Sequence, residues 1–398
     1  MTLIGKGDFI MKSIFKRAFV AVISFAMVLS LAACGSKGYP ANNTEFVIGF
    51  SGPLTGPAAV YGVAVQNSAQ MAVDEINAAG GLNGVKFKLL ATDDTHDATK
   101  VAANYASMIE GGMQVSLGTV TTAPGLEFTN LSKEDNVFFI TPSASGDDIP
   151  KNDNGFQMCF ADGNQGKVAA DYVNSIGLKK IGIFYKSDDA YSNGIFKQFK
   201  ENLNSSIETV EAVFTDANAT DFSAQISTLK DCKFIFMPIY YTPASIFMTQ
   251  AKDTIAKDAV YYGCDGFDGL AGQFEDFSVI PQEVSMLSHF DSNATEGAAA
   301  DFIKKYTEKY GADTLNQFGA SAYDCVYAIY NAMKAAVDAG EKIDVTISAS
   351  DLCEILKAQF TGDFSYNGVT GKDIKWENNG YVAKEAVKYT LKTANEAK

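Results

Sequence analysis

Two hydroxyl-rich turns each follow an apolar run, and they carry the side chains best suited to hold an anion. Thr119 and Thr121 stand in Gly118-Thr-Val-Thr-Thr-Ala-Pro124, after the run Val115–Leu117 and before a helical segment. Ser143 and Ser145 stand in Thr141-Pro-Ser-Ala-Ser145, after the run Val137–Ile140. Hydroxyls and backbone N–H groups at strand ends and helix starts supply the several donors that a carboxylate needs. Open parallel sheets place ligands at these carboxyl ends. The same residues also suit ordinary turns and helix N-caps. Catalytic chemistry finds less support. The two histidines, His96 and His289, lack metal-ligand spacing, and no Gly-x-Ser-x-Gly elbow is present. Asp93, Asp94 and Asp97 around His96 read as a solvated turn rather than a cation site. Asp188 and Asp189 either face a cleft or cap the helix that follows. The string Gly49-Phe-Ser-Gly-Pro-Leu-Thr-Gly56 lacks both the dinucleotide order and the Gly-Lys-Ser/Thr of a phosphate loop. No metal and no cofactor is expected.

The turns need rigid elements beneath them. Apolar runs at 46–50, 85–91, 115–117 and 137–140 read as short buried strands. Between them, residues 65–78, 98–110 and 124–131 have helical spacing. Gly80-Gly81 and Gly111-Gly112 stop two of these helices. A second alternating set begins near Lys180, with strands at 181–185, 208–214, 234–240 and 259–263 and helices at 191–203 and 221–229. Residues 283–288 suit one more strand. Helices follow at 295–310, 318–339 and 349–358, then a hairpin-like segment at 368–379 that holds the only tryptophan, Trp376. Repeated strand–helix–strand units predict parallel sheets covered by helices on both faces, and two sets predict two doubly wound α/β lobes.

The N-terminus reads as an address. Lys12, Lys16 and Arg17 precede an apolar run from Ala18 to Leu29, and then comes Leu31-Ala-Ala-Cys34. The run is shorter than the roughly 20 residues of a membrane span. This segment resembles a bacterial lipoprotein signal, with residues 1–33 removed and Cys34 carrying lipid. That resemblance implies an extracytoplasmic protein anchored to the cell membrane, with residues 34–44 as a polar tether. The remaining cysteines, Cys159, Cys232, Cys264, Cys325 and Cys353, are odd in number and form no Cys-x-x-Cys pair. The chain has 398 residues, 32 basic and 47 acidic. Removing the leader's four basic residues and one acidic residue (Lys6, Lys12, Lys16, Arg17 and Asp8) leaves 28 basic and 46 acidic, a net charge of −18. No nucleic-acid partner is expected at that charge.

Several strings recur in one order. They are Phe50-Ser-Gly-Pro-Leu-Thr-Gly56, Tyr61-Gly62, Ala72-Val-Asp-Glu-Ile-Asn-Ala-Ala-Gly-Gly81, Thr92-Asp-Asp94, Thr141-Pro-Ser-Ala-Ser145, Tyr240-Tyr241 and Gly368-Val-Thr-Gly371. Over residues 46–385 the chain resembles the type I periplasmic binding protein family, in its leucine/isoleucine/valine-binding branch. The resemblance implies two Rossmann-like lobes with a ligand cleft between them, joined by three hinge crossovers near 158–162, 288–291 and 360–364. Residues 45–160 and 291–362 would form lobe 1, and residues 161–290 and 363–398 lobe 2.

It also implies the function: a non-catalytic substrate-binding component of an ABC importer. Such a component takes a free amino acid, branched-chain or otherwise apolar, and delivers it to permease subunits with a cytoplasmic ATPase. In this family the two hydroxyl turns hold the α-carboxylate, which assigns Thr119, Thr121, Ser143 and Ser145. The α-ammonium needs an anion, which assigns Asp265 in Tyr262-Gly-Cys-Asp-Gly266, where the branch usually has glutamate. The shorter aspartate draws the ligand closer or admits a water. Tyr61, Tyr191 and Tyr240, with Tyr241 as the alternative to Tyr240, match the family's aromatic positions. Other readings are a binder of a short amide, urea or an aromatic acid, and a sensor that presents its ligand to a membrane receptor. Asp265 argues against ligands without an ammonium.

Overall fold

The computed structural model describes residues 43–215 and 219–394. Cys34 and most of the expected tether lie outside the described residues. The first sheet has strand order β2-β1-β3-β4-β5, all parallel: β1 Phe46–Gly52, β2 Phe87–Asp93, β3 Val115–Ser116, β4 Phe139–Thr141 and β5 Gly155–Gln157. Every residue of β1 is buried, as its unbroken apolar run requires in a sheet covered on both faces. The covering helices are α1 Ala59–Ala78, α2 Val101–Glu110 and α3 Thr122–Asp135.

The chain then crosses into a second sheet through residues 158–161. After α4 Asp162–Ser175 it forms β6 Lys180–Lys186, α5 Ala190–Asn202, β7 Glu208–Phe214, α6 Ser223–Leu229, β8 Phe234–Met237, α7 Tyr241–Ala251, β9 Val260–Gly263 and β10 Glu283–Ser288. The order is β11-β10-β9-β8-β6-β7, in which β11 Val387–Lys392 is the one antiparallel strand. Its core is aromatic: Phe184 stacks on Phe214 at 5.0 Å and on Phe247 at 4.4 Å between centroids. Each such ring, fully buried, contributes about 1.5–3 kcal/mol. The architecture is therefore two α/β lobes, as the alternating pattern predicts.

After β10 the chain returns. Helices α8 Gly297–Tyr310, α9 Gln317–Asp338 and α10 Ala349–Phe360 follow, and α9 lies along α1. The return is marked at His289, whose Nε2 meets Ser321 Oγ of α9 at 2.7 Å.

One boundary differs from the expectation. The resemblance places residues from 363 in lobe 2, yet the segment through Val382 packs on the first sheet. The Trp376 indole N–H donates to the carbonyl of Gln157 in β5 (2.8 Å), and its ring lies 4.4 Å from Phe360. Tyr381 OH donates to the Asp147 carbonyl. The third crossing thus falls near 383–386 rather than 360–364. Asp324 of α9 anchors this segment. Its carboxylate is fully buried and accepts from Tyr366 OH (3.0 Å), Val369 N (2.8 Å), Thr370 N (2.8 Å) and Thr370 Oγ1 (2.5 Å). A Cβ on Gly368 would stand 2.3 Å from Asp324 Oδ1, so this turn requires glycine.

Candidate functional site

The carboxyl ends of both parallel sheets face each other. On the first lobe, β3 leads through Thr119 and Thr121 into α3, and β4 leads through Ser143 and Ser145 toward β5. On the second, β6 leads to Tyr191 at the start of α5, β8 to Tyr240 before α7, and β9 to Asp265. Tyr61, Thr121, Ser143, Ser145, Tyr191, Tyr240 and Asp265 all line one space between the lobes. Thr119 is not part of the lining. It lies just beneath, 1% exposed, and its hydroxyl has no hydrogen-bond partner.

The first-lobe wall is rich in unused donors. α3 is a 14-residue helix whose N-terminal N–H groups receive no side-chain cap from Thr121. The hydroxyl of Thr122, also in the lining, is buried without a partner, like that of Thr119. Orphan hydroxyls and uncapped N–H groups at a helix start favour negative charge.

The second-lobe wall is acidic. Asp265 is 1% exposed. Its Oδ1 accepts from Tyr191 OH at 2.7 Å, and its N–H donates to Gln165 Oε1 at 3.0 Å. Burial raises its pKa to about 7, against the opposing pull of the Tyr191 and Gln165 bonds. Gly266 completes the arrangement by donating its N–H to Tyr191 OH at 2.9 Å. A Cβ there would stand 2.7 Å from that hydroxyl, so only glycine allows the approach. Asp162, at the start of α4, is a second fully buried carboxyl. Its Oδ2 has no partner, and burial, with the nearby charge of Asp265, raises its pKa well above the usual range. Burial likewise holds the Tyr61, Tyr191 and Tyr240 phenols well above their ordinary pKa, so all three act as hydroxyls.

The lobes touch across the space. Tyr61 OH donates to the Gly266 carbonyl at 2.6 Å, and its ring meets Tyr241 edge-on at 4.9 Å. Thr242 Oγ1 donates to the Pro57 carbonyl at 2.9 Å, and Gln317 N to Asp268 Oδ2 at 2.9 Å. Tyr240 stacks on Tyr191 at 4.6 Å and 17°. Tyr241 turns into this interlobe contact and lies outside the lining.

Sequence reasoning missed Val120, Thr122, Gly266 and Phe318 in the wall. Phe318 comes from the returning helix α9, where its apolar neighbours give it no distinguishing pattern. The reading of 93–97 as a solvated turn is corrected at Asp94 and His96, while Asp93 and Asp97 stay toward solvent. Asp94 is fully buried, accepting from Ser51 Oγ (3.1 Å) and His96 N (2.9 Å), and burial raises its pKa to about 6. The His96 ring packs inward against Thr121 and Tyr240. Asp189 caps α5, accepting from Ser192 N at 2.9 Å. Among the described residues, no group of three or more His, Cys, Asp or Glu is placed to hold a metal ion.

Known proteins share this arrangement. A family model described as periplasmic binding protein matches residues 45–389. The Leu/Ile/Val-binding protein BraC3 of Rhizobium johnstonii is 29% identical over 323 residues, covering 79% of this chain and 84% of that protein. A leucine-, isoleucine-, valine-, threonine- and alanine-binding protein of Pseudomonas aeruginosa is 26% identical, covering 81% of this chain and 87% of that one. Among solved structures, the branched-chain amino acid transporter substrate-binding protein LivJ of Streptococcus pneumoniae, in complex with isoleucine, superposes with a TM-score of 0.73. It is 28% identical, and the match covers 87% of this chain and all of that one.

Proposed function

The chain belongs to the periplasmic binding protein family, and from that premise we propose that it captures a free amino acid with a branched or otherwise apolar side chain for an ABC importer. The observation that carries this reading is the polarity of the enclosed space. Uncapped N–H groups and spare hydroxyls of α3 stand on one lobe, and the buried acid Asp265 stands on the other. A zwitterion matches both walls at once, whereas an aromatic acid or an amide leaves Asp265 without a cation. In this reading Thr121, Ser143 and Ser145 meet the carboxylate, with Thr119 behind them. Asp265 meets the ammonium through Oδ2, since Tyr191 takes Oδ1. Tyr61, Tyr191 and Tyr240 enclose the ligand. The family binds solutes rather than transforming them, so no catalytic residue is assigned.

The family works outside the cytoplasm with a permease and an ATPase. We assign the anchor to lipid on Cys34, supported by the basic segment, the apolar run and Leu31-Ala-Ala-Cys34. Mass spectrometry of ligand retained by the purified protein, then calorimetry with the twenty protein amino acids, tests the ligand class. Leucine, isoleucine or valine should give the tightest binding, and heat from none of the twenty would refute the reading. Intact mass of the protein from its own host tests the anchor: an unmodified N-terminus would refute it.

A further inference from the structure

His96 occupies a backbone conformation that a histidine rarely adopts. Its φ is 65°, and Thr95 before it has φ 53°. The two strained residues are held by neighbouring acids. Asp93 Oδ1 accepts Thr95 N and Asp94 Oδ1 accepts His96 N, each at 2.9 Å. Left-handed residues other than glycine cost free energy and tend to persist where they place a functional group. Here they place an imidazole against two residues of the cavity wall, one on each lobe. Nδ1 lies 2.9 Å from Thr121 Oγ1, and the ring meets Tyr240 edge-on, 5.1 Å between centroids at 83°.

The bond to Thr121 has a directional consequence. Thr121 stands at the N-cap position of α3, yet its hydroxyl caps nothing and is shared with His96 instead. Burial lowers the His96 pKa below its ordinary value, so the ring is neutral at pH 7 and carries one N–H. If Nδ1 accepts, the hydroxyl hydrogen points away from the cavity and a lone pair faces the ligand. If Nδ1–H donates, the hydroxyl hydrogen is free to point at the ligand. Only the second arrangement gives a carboxylate a donor at Thr121.

We propose that His96 is a positioning residue: as the Nδ1–H tautomer it donates to Thr121, turns that hydroxyl toward the ligand carboxylate, and braces Tyr240 on the opposite lobe. This rests on the amino-acid reading above. It concerns a residue behind the wall, which itself touches no ligand.

Two variants suit φ 65° and separate the roles. His96→Gly accepts that backbone and removes the ring. His96→Asn also accepts it and keeps an N–H near the Nδ1 position. The experiment is calorimetry of wild type and both variants with L-isoleucine and L-isoleucinamide, together with ¹⁵N NMR of histidine-labelled protein saturated with L-isoleucine. His96→Gly should weaken isoleucine by about tenfold or more, the scale of one hydrogen bond to a charged group, and His96→Asn by less than about threefold. The amide, which brings no carboxylate, should lose much less in His96→Gly. The His96 signals should show a protonated Nδ1 and an unprotonated Nε2. Equal losses for both ligands would reduce His96 to a brace for Tyr240, and an unprotonated Nδ1 in the bound protein would overturn the proposal outright. Wild type that binds no protein amino acid fails the amino-acid reading itself. Wild type that binds while His96→Gly binds equally well overturns this inference alone.

Discussion

Tyr191 and Asp265 are joined by a 2.7 Å hydrogen bond from the phenol to Oδ1, inside a wall where neither side chain exceeds 2% exposure. The same phenol oxygen accepts from Gly266 N, so one hydroxyl fixes both the carboxylate and the peptide after it. The acid is thereby held in place before any ligand arrives. Ordering it at the moment of binding would cost affinity, and preorganisation removes that cost.

Tyr191→Phe should show the value of that bond. The change keeps the ring stacked on Tyr240 but leaves Asp265 Oδ1 and Gly266 N without a partner. A buried polar group left unsatisfied costs about 1–3 kcal/mol, more for a charged one. Amino-acid affinity is expected to fall about tenfold, and the melting temperature of the ligand-free protein should fall as well, because both groups are buried with or without ligand. Calorimetry with isoleucine and a thermal melt check the two halves separately.

Affinity should depend on pH with a defined sign. Asp265 has a pKa of about 7 in the ligand-free protein because burial disfavours its charge. An ammonium beside it favours the ionised form, so binding lowers that pKa and releases a proton near neutrality. Affinity should therefore rise from pH 5 to about pH 7 and level off above. Calorimetry in buffers of different ionisation enthalpy reads the proton count directly. A count of zero at pH 6.5 would show that the acid is already charged in the empty site.

The same raised pKa values act on stability. Asp265, Asp94 and Asp268 stand at about 7, 6 and 6, all pushed up chiefly by burial. A carboxyl with a raised folded-state pKa binds protons more tightly when folded. Its stabilising contribution is full below the unfolded value of about 4 and is lost as pH rises through the folded value. The ligand-free protein should melt higher at pH 5 than at pH 8, and saturating ligand should narrow the difference by ionising Asp265 in a paired state.

Asp324 carries a structural prediction. Four donors converge on it, and Lys384 Nζ reaches the same cluster through Thr370 Oγ1 at 2.6 Å. Burial lowers the Lys384 pKa to about 8, with the opposite charge of Asp324 pulling it back up. Asp324→Ala removes the anion, leaves these donors unmet and should cost about 3–5 kcal/mol of stability. Urea unfolding checks this, and a loss under about 1 kcal/mol would mean that water replaces the carboxylate.

The parallel strands and most helices were legible because their apolar runs are buried on one face or both. Strand β5, helix α4 and helix α7 were not. Gly155–Gln157 is three residues long, and Asp162–Ser175 carries few apolar side chains because it shows one face to solvent. The expected strand at 234–240 stops at Met237, since Pro238 cannot continue a central strand, and Tyr240 begins the approach to α7. At the site, seven of the eight ligand residues expected from the family resemblance face one space. His96 was hidden because a left-handed turn, which only the backbone reveals, swings its ring inward.

Asp265→Asn is the direct test of how the ligand is recognised. The substitution keeps the size of the side chain and an oxygen to accept from Tyr191, and it removes the charge. In the reading proposed above, the ammonium of the ligand sits between the two lobes, where its countercharge must come from the protein. Truncating one member of a buried charge pair costs about 2–5 kcal/mol, which corresponds to a loss of roughly 30-fold or more. A des-amino analogue such as 4-methylpentanoate, with no ammonium to pair, should lose far less and can even gain, because the neutral amide no longer repels its carboxylate. Comparing leucine with this analogue cancels general damage to the fold. Equal losses for the two, or none for either, would mean that another acid meets the ammonium, and Asp162, buried behind the lining with an unpartnered Oδ2, is the next to test.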